Sequence, residues 1–127
     1  MNEHVNPSTI GAPAAMYSLG VATTAGSRLL HTSGIVGTGA DGSISPVLAD
    51  QAATIWSSIG AICAAAGFGL DDIVSYTTYV VDGEDLSVVM AARDAALAPN
   101  RPASTLIVVP RLARPEWRME ITAVAAH

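Results

Sequence analysis

Near the end of this 127-residue chain, Glu120 follows Arg118 by two positions in an alternating segment, Trp117-Arg118-Met119-Glu120-Ile121-Thr122-Ala123. A period of two puts Trp117, Met119, Ile121 and Ala123 on one face of a strand and Arg118, Glu120 and Thr122 on the other. A carboxylate that looks outward from a strand leaning on a core is either a solvated side chain or the floor of a site. Arg118 stands about 7 Å along the same strand, where it could contact a ligand or pair with the carboxylate. Pairing would favour the ionised form and weaken Glu120 as a base at neutral pH.

The other reactive residue types offer less. Cys63 is the single cysteine, which excludes an internal disulfide, and its setting in Ala-Ile-Cys-Ala-Ala-Ala reads as a small buried hydrophobe. His4, His31 and His127 show no ligand spacing, so neither a metal nor any other cofactor is expected. The run Gly37-Thr38-Gly39-Ala40-Asp41-Gly42-Ser43 lacks the Lys and the helix start of a phosphate cradle and reads as a flexible loop. Eleven acids against six Arg and no Lys give a formal charge of −5. A chain so short of cations is a poor partner for nucleic acid. No apolar run reaches the roughly 20 residues of a membrane span, and the start has no signal-peptide pattern. A cytoplasmic protein without membrane contact is expected.

The elements that must position Glu120 can be read in order. Residues 1–14, polar and then rich in Pro and Ala, form a lightly ordered lead-in to a single domain covering the whole chain. Segments 16–23 and 28–36 alternate around Ala25-Gly26, which predicts an antiparallel hairpin. Gly34 within the second strand marks a bulge or a close backbone approach. A helix is expected over 48–66, with Ile55, Ile59, Ile62 and Ala66 as its apolar stripe and Gly67 as its stop. The β-branched run Ile73–Val81 is a strand. After Asp82-Gly83-Glu84-Asp85 comes a second helix, with Leu86, Val89, Met90 and Leu97 turned to the core and Pro99 beyond its end. The nearly unbroken apolar run 104–109 predicts a strand covered on both faces. Pro110 and Pro115 bracket the irregular link to the closing strand.

The order β-β-α-β-α-β-β in one small domain implies an α+β layer, a mixed sheet with both helices on one face. Val21, Val74 and Ile107 would then lie on a bare face. Together with the high mean hydropathy, +0.42, that face calls for a covering subunit.

An ordered set of segments carries a family likeness. They are Tyr17-Ser18, Thr32-Ser33-Gly34-Ile35, Ala64-Ala65-Ala66-Gly67, Leu70-Asp71-Asp72-Ile73-Val74, Thr77-Thr78-Tyr79-Val80, Arg101-Pro102-Ala103-Ser104-Thr105 and Met119-Glu120-Ile121-Thr122-Ala123-Val124-Ala125. In these the chain resembles the Rid family, also called YjgF or L-PSP endoribonuclease-like. The resemblance implies a chorismate-mutase-like fold, a homotrimer whose sheets form a central barrel, and ligand clefts between subunits. It also implies hydrolysis of reactive enamines and imines to 2-oxo acids and ammonia.

By the same likeness Glu120 matches the glutamate credited with holding the attacking water, and Tyr17 and Ser33 match pocket-lining positions. One landmark is missing. Deaminating members carry, between the Pro-Ala pair and the start of the buried strand, an Arg that clamps the substrate carboxylate. Here that slot is Ala103 or has been deleted. Arg101 and Arg118 are the candidate replacements, and main-chain donors near Thr105 would steady developing charge.

The first reading is therefore a small-molecule hydrolase acting on an enamine, imine or related carbonyl compound. It should be inefficient on 2-iminopropionate. The alternative is a non-catalytic trimer that binds a metabolite or a partner peptide in the same cleft.

Overall fold

The computed structural model describes residues 2–127. Its main sheet is built around β5 (Ile73–Val81) and β7 (Met119–Ala126), paired antiparallel, with Tyr79 opposite Glu120 and Thr77 opposite Thr122. β6 (Ala103–Val109) runs parallel to β5 on its other side, with Ala103 opposite Ser75. The far edge of β7 is shared by β3 (Leu29–His31) and β4 (Ile35–Val36). Helices α1 (Leu48–Ala65) and α2 (Leu86–Leu97) complete the α+β layer expected from the element order.

The helices are held to the sheet by the apolar stripes that the periodicities predict. Ile55 and Ile59 of α1, Val89 and Leu97 of α2, Tyr76 and Val80 of β5, and Met119, Ile121, Ala123 and Ala125 of β7 form one buried cluster. Each fully buried Ile side chain contributes on the order of 2–3 kcal/mol. Trp56 meets Tyr76 edge to face, with ring centroids 5.4 Å apart. Ile62 and Ala66 lie at the rim of the α1 stripe instead of inside it, and Cys63 takes the buried position, 1% exposed. No helix among the described residues is long and apolar enough to cross a membrane.

Several local expectations are corrected. The segments 16–23 and 28–36 do not form a hairpin. What remains of the first, β2 (Gly20–Ala22), pairs with β1 (Glu3–Val5), so part of the expected lead-in is a strand in a separate two-stranded sheet. The second divides into β3 and β4, because Thr32 intrudes on the ladder. Its Oγ1 accepts from Ala123 N at 2.9 Å, and its own N–H donates to Ala123 O at 2.9 Å. Long-range pairing with β7 has overridden the local turn signal.

A bulge between Ile73 and Ser75 takes Val74 out of register and buries it, away from the bare face its alternation predicts. Val21 belongs to the small sheet, outside that face altogether. Met90 is 38% exposed at the margin of α2 instead of core-facing. β6 is an edge strand of the described sheet, with Ile107 39% and Val108 48% exposed, so its apolar run is not covered on both faces by this chain.

Candidate functional site

Glu120 projects from β7 to the face opposite the helices, since its neighbours Met119 and Ile121 are buried in the core at 0% and 1% exposure. It is flanked by Tyr79 on β5 and Val36 on β4. Between β3 and β4 the chain passes directly over it at Ser33-Gly34. A β-carbon on residue 34 would lie 2.8 Å from Glu120 Cδ and closer still to Oε2, so only glycine leaves room for the carboxylate. The close approach expected at Gly34 is thus made to Glu120. Ser33 is exposed beside it. Among the described residues the Glu120 side chain has no hydrogen-bond or ion-pair partner.

Arg118 does not pair with Glu120. Its Nε donates to Glu84 Oε1 at 2.6 Å, which ties the start of β7 to the loop before α2. The ladder continues one residue past Met119, with Val81 N donating to Arg118 O at 3.0 Å, yet the Arg118 side chain meets Glu84 and not Glu120.

Gln51 holds that end of the sheet in place. Wholly buried on α1, it donates through Nε2 to Ser45 O and Glu116 O, both at 2.9 Å, and accepts through Oε1 from Arg118 N at 3.0 Å. α1 approaches Gly37 so closely that a β-carbon there would sit 2.8 Å from the Gln51 Cα. One amide therefore clasps the loop before α1 and the link before β7, two residues from Glu120.

The remaining candidates gather elsewhere. Ala103 starts β6 opposite Ser75 and bridges to Ser18 on its outer side, next to Tyr17. Tyr17, Met90, Arg93, Ser104 and Leu106 line a groove of about 360 Å³ between residues 14–17, α2 and β6. Thr105 is exposed on the strand beyond. Arg101 is exposed, and its carbonyl accepts from Ser18 Oγ and from His4 Nδ1. Ala103 is level with Val124 across β5, four residues from the level of Glu120, or about 13 Å. In a single chain the candidates thus fall into two groups, Ser33 with Glu120 and Tyr17 with Ala103.

Two residues of this region were not singled out from the sequence. Gln51 gave no signal, since a polar residue in the first turns of a helix is ordinarily solvated. Arg93 did give one. Counting from Leu86 and Val89 to Leu97, it occupies the buried stripe of α2, where a cation is out of place. It is 8% exposed.

Fold and site together define a small α+β protein of the Rid type. The chain belongs to the endoribonuclease L-PSP family, whose profile matches residues 9–127. Among solved structures, YyfB of Yersinia pestis, a Rid-family protein of unknown function, is 29% identical. It superposes with a TM-score of 0.89 over 99% of this chain and 98% of its own. NMB1025 of Neisseria meningitidis, a member of the YjgF family, is also 29% identical, with a TM-score of 0.69 over 86% and 85% of the two chains. TdcF of Escherichia coli, solved with bound serine, is 26% identical, with a TM-score of 0.73 over 96% and 93%. No curated protein matches the chain.

Proposed function

We propose that the protein hydrolyses a reactive enamine, imine or related carbonyl metabolite in a cleft completed by a second subunit of a homotrimer. The observation that carries this reading is the placement of Glu120. Its carboxylate stands on the uncovered face of the sheet, in the room that Gly34 leaves and without a partner among the described residues, so both oxygens can engage a ligand or water. Glu120 takes a proton from water as the oxygen adds to the C=N carbon and returns it to the nitrogen, and the resulting carbinolamine collapses to a carbonyl compound and ammonia. An enamine first takes a proton on carbon to become the imine.

The subunit contact is supported by Leu29, Ile107 and Val108, which are 55%, 39% and 48% exposed. Leu29 and Ile107 lie on the same uncovered side as Glu120, and β6 has an open edge, so a partner would cover both. The bound serine in TdcF supports a small-molecule ligand. The net charge of −5 and the absence of Lys speak against RNA. A trimeric binder without turnover is the second reading, favoured by the separation of Glu120 from the Tyr17 groove within one chain.

Glu120→Gln separates the two. It keeps the shape of the side chain and cannot accept a proton, so turnover should fall by roughly 10²–10⁴ with folding intact. Loss of thermal stability without any effect on turnover would refute the hydrolytic role. Light scattering should give three times the 12.9 kDa chain mass, and a monomer would refute the cleft.

A further inference from the structure

Beneath the Tyr17 groove lies a second, smaller space that reaches into the core between α2 and the sheet. This recess, about 10 Å³, is enclosed by Trp56, Tyr76, Thr78, Arg93, Ser104 and their apolar neighbours. Met90, Arg93, Ser104 and Leu106 line both spaces, so the recess is the floor of the groove. It has room for about one water-sized group.

Its polar lining is one-sided. Trp56 Nε1 and Tyr76 Oη belong to residues each 4% exposed, and both are buried without a hydrogen-bond partner among the described residues. An indole N–H can only donate, and a buried phenol left unpaired is costly. Arg93 adds a guanidinium that cannot lose its charge. Among the described residues its bonds run from Nε and one terminal nitrogen to a single oxygen, Asp94 Oδ1, each 2.8 Å long. The other terminal nitrogen has no partner among the described residues. The hydroxyls of Thr78 and Ser104 can turn to donate. The described lining contains no carboxylate, and Asp94, outside it, meets Arg93 through one oxygen only, so the space offers more donors than acceptors and a cation only partly matched.

We propose that this recess and the groove above it bind a small monoanion by its carboxylate end. Arg93 of α2 supplies the charge and a planar pair of donors, and Tyr76 and Trp56 supply neutral donors from below. The rest of the ligand lies in the groove against Tyr17, Met90 and Leu106. The cation thus comes from the helix, while the position at the start of β6 is left to small residues, Ala103 and Ser104. The proposal deepens the hydrolytic reading by naming a carboxylate on its substrate, and it rests on that reading only for turnover. As a binding site it stands on its own residues.

The test uses propionate and its neutral isostere propionamide, with the Trp56 indole N–H resonance as reporter, assigned through Trp117→Phe. Propionate should shift that resonance saturably and propionamide should bind at least tenfold more weakly. Arg93→Gln should weaken propionate binding tenfold or more, and Tyr76→Phe by a smaller factor. Asp94→Asn, which removes the competing counter-charge, should strengthen it severalfold and provides a variant of opposite sign should Arg93→Gln fail to fold. Equal binding of the two probes, an unmoved indole resonance, or no gain from Asp94→Asn would overturn the site. The readout here is propionate binding, whereas Glu120→Gln is read by turnover. Loss of turnover in that variant and loss of propionate binding in Arg93→Gln therefore fail or succeed separately.

Discussion

Gly34 and Glu120 occupy each other's space: the carboxylate of Glu120 lies where the side chain of any other residue at position 34 would begin. The contact involves only the far end of a flexible side chain, so it can be relieved by moving Glu120 without moving the sheet. Gly34→Ala should therefore fold and melt nearly as the unmodified protein does while displacing the carboxylate by an ångström or more. Misplacement on that scale costs up to about 10²-fold in rate. The check is thermal unfolding beside steady-state turnover. A variant with full activity would mean that the position of Glu120 does not matter to the chemistry.

Gln51 supports the same end of the sheet from behind. Replacing it with Leu would leave Ser45 O, Glu116 O and Arg118 N without their partner. Stranding buried backbone groups costs about 1–3 kcal/mol each before relaxation, so a loss of on the order of 3 kcal/mol is expected. Denaturant unfolding at a fixed protein concentration measures it. A loss below about 1 kcal/mol would show that water replaces the amide.

The N-terminus of α2 should weaken in acid. Asp85 caps it, accepting from Ser87 Oγ at 2.6 Å and from Ser87 N at 2.9 Å. Those two bonds, the hydroxyl first, hold its carboxyl below the usual carboxylate range. A depressed folded value stabilises the native state above the ordinary Asp titration, near pH 3.9, and the gain is lost as pH falls through the folded value. Asp85→Asn retains a cap that does not titrate. The stability gap between the two proteins, present at neutral pH, should close at low pH. A gap that persists in acid would assign the effect to shape instead of charge.

Cys63 should be inert in the folded protein. Burial first, and the charge of Asp72 second, push its thiol above the usual range, and the residue is 1% exposed. A disulfide reagent at about pH 8 should label it only at the rate of unfolding. Rapid stoichiometric labelling of native protein would mean that α1 opens locally.

The outward carboxylate of β7 was legible because its signal is local: seven alternating residues suffice to orient Glu120. The helix stripes and the crowding at Gly34 were legible for the same reason. Pairing was harder to read. Ala25-Gly26 reads as a tight turn between two alternating segments, yet nothing near Leu29 says that its partner is Ala126, nearly the whole chain away. The partner of Arg118 was hidden too, since Glu84 reaches it only once the loop before α2 packs beside the start of β7. Gln51 was invisible, because its three partners come together only once the fold exists. Arg93 could have been seen, as a charge lying on a buried stripe.

The distance between Glu120 and the Tyr17 groove bears on heredity as much as on chemistry. In the proposed trimer each cleft draws one half from each of two neighbouring chains, so two damaged copies need not add up to a damaged protein. A chain defective at Glu120 and another defective at Arg93, refolded together in equal amounts, would rebuild about a quarter of the clefts from intact halves. Two inactive alleles would complement, and a single defective allele would poison clefts that its normal partner helps to form.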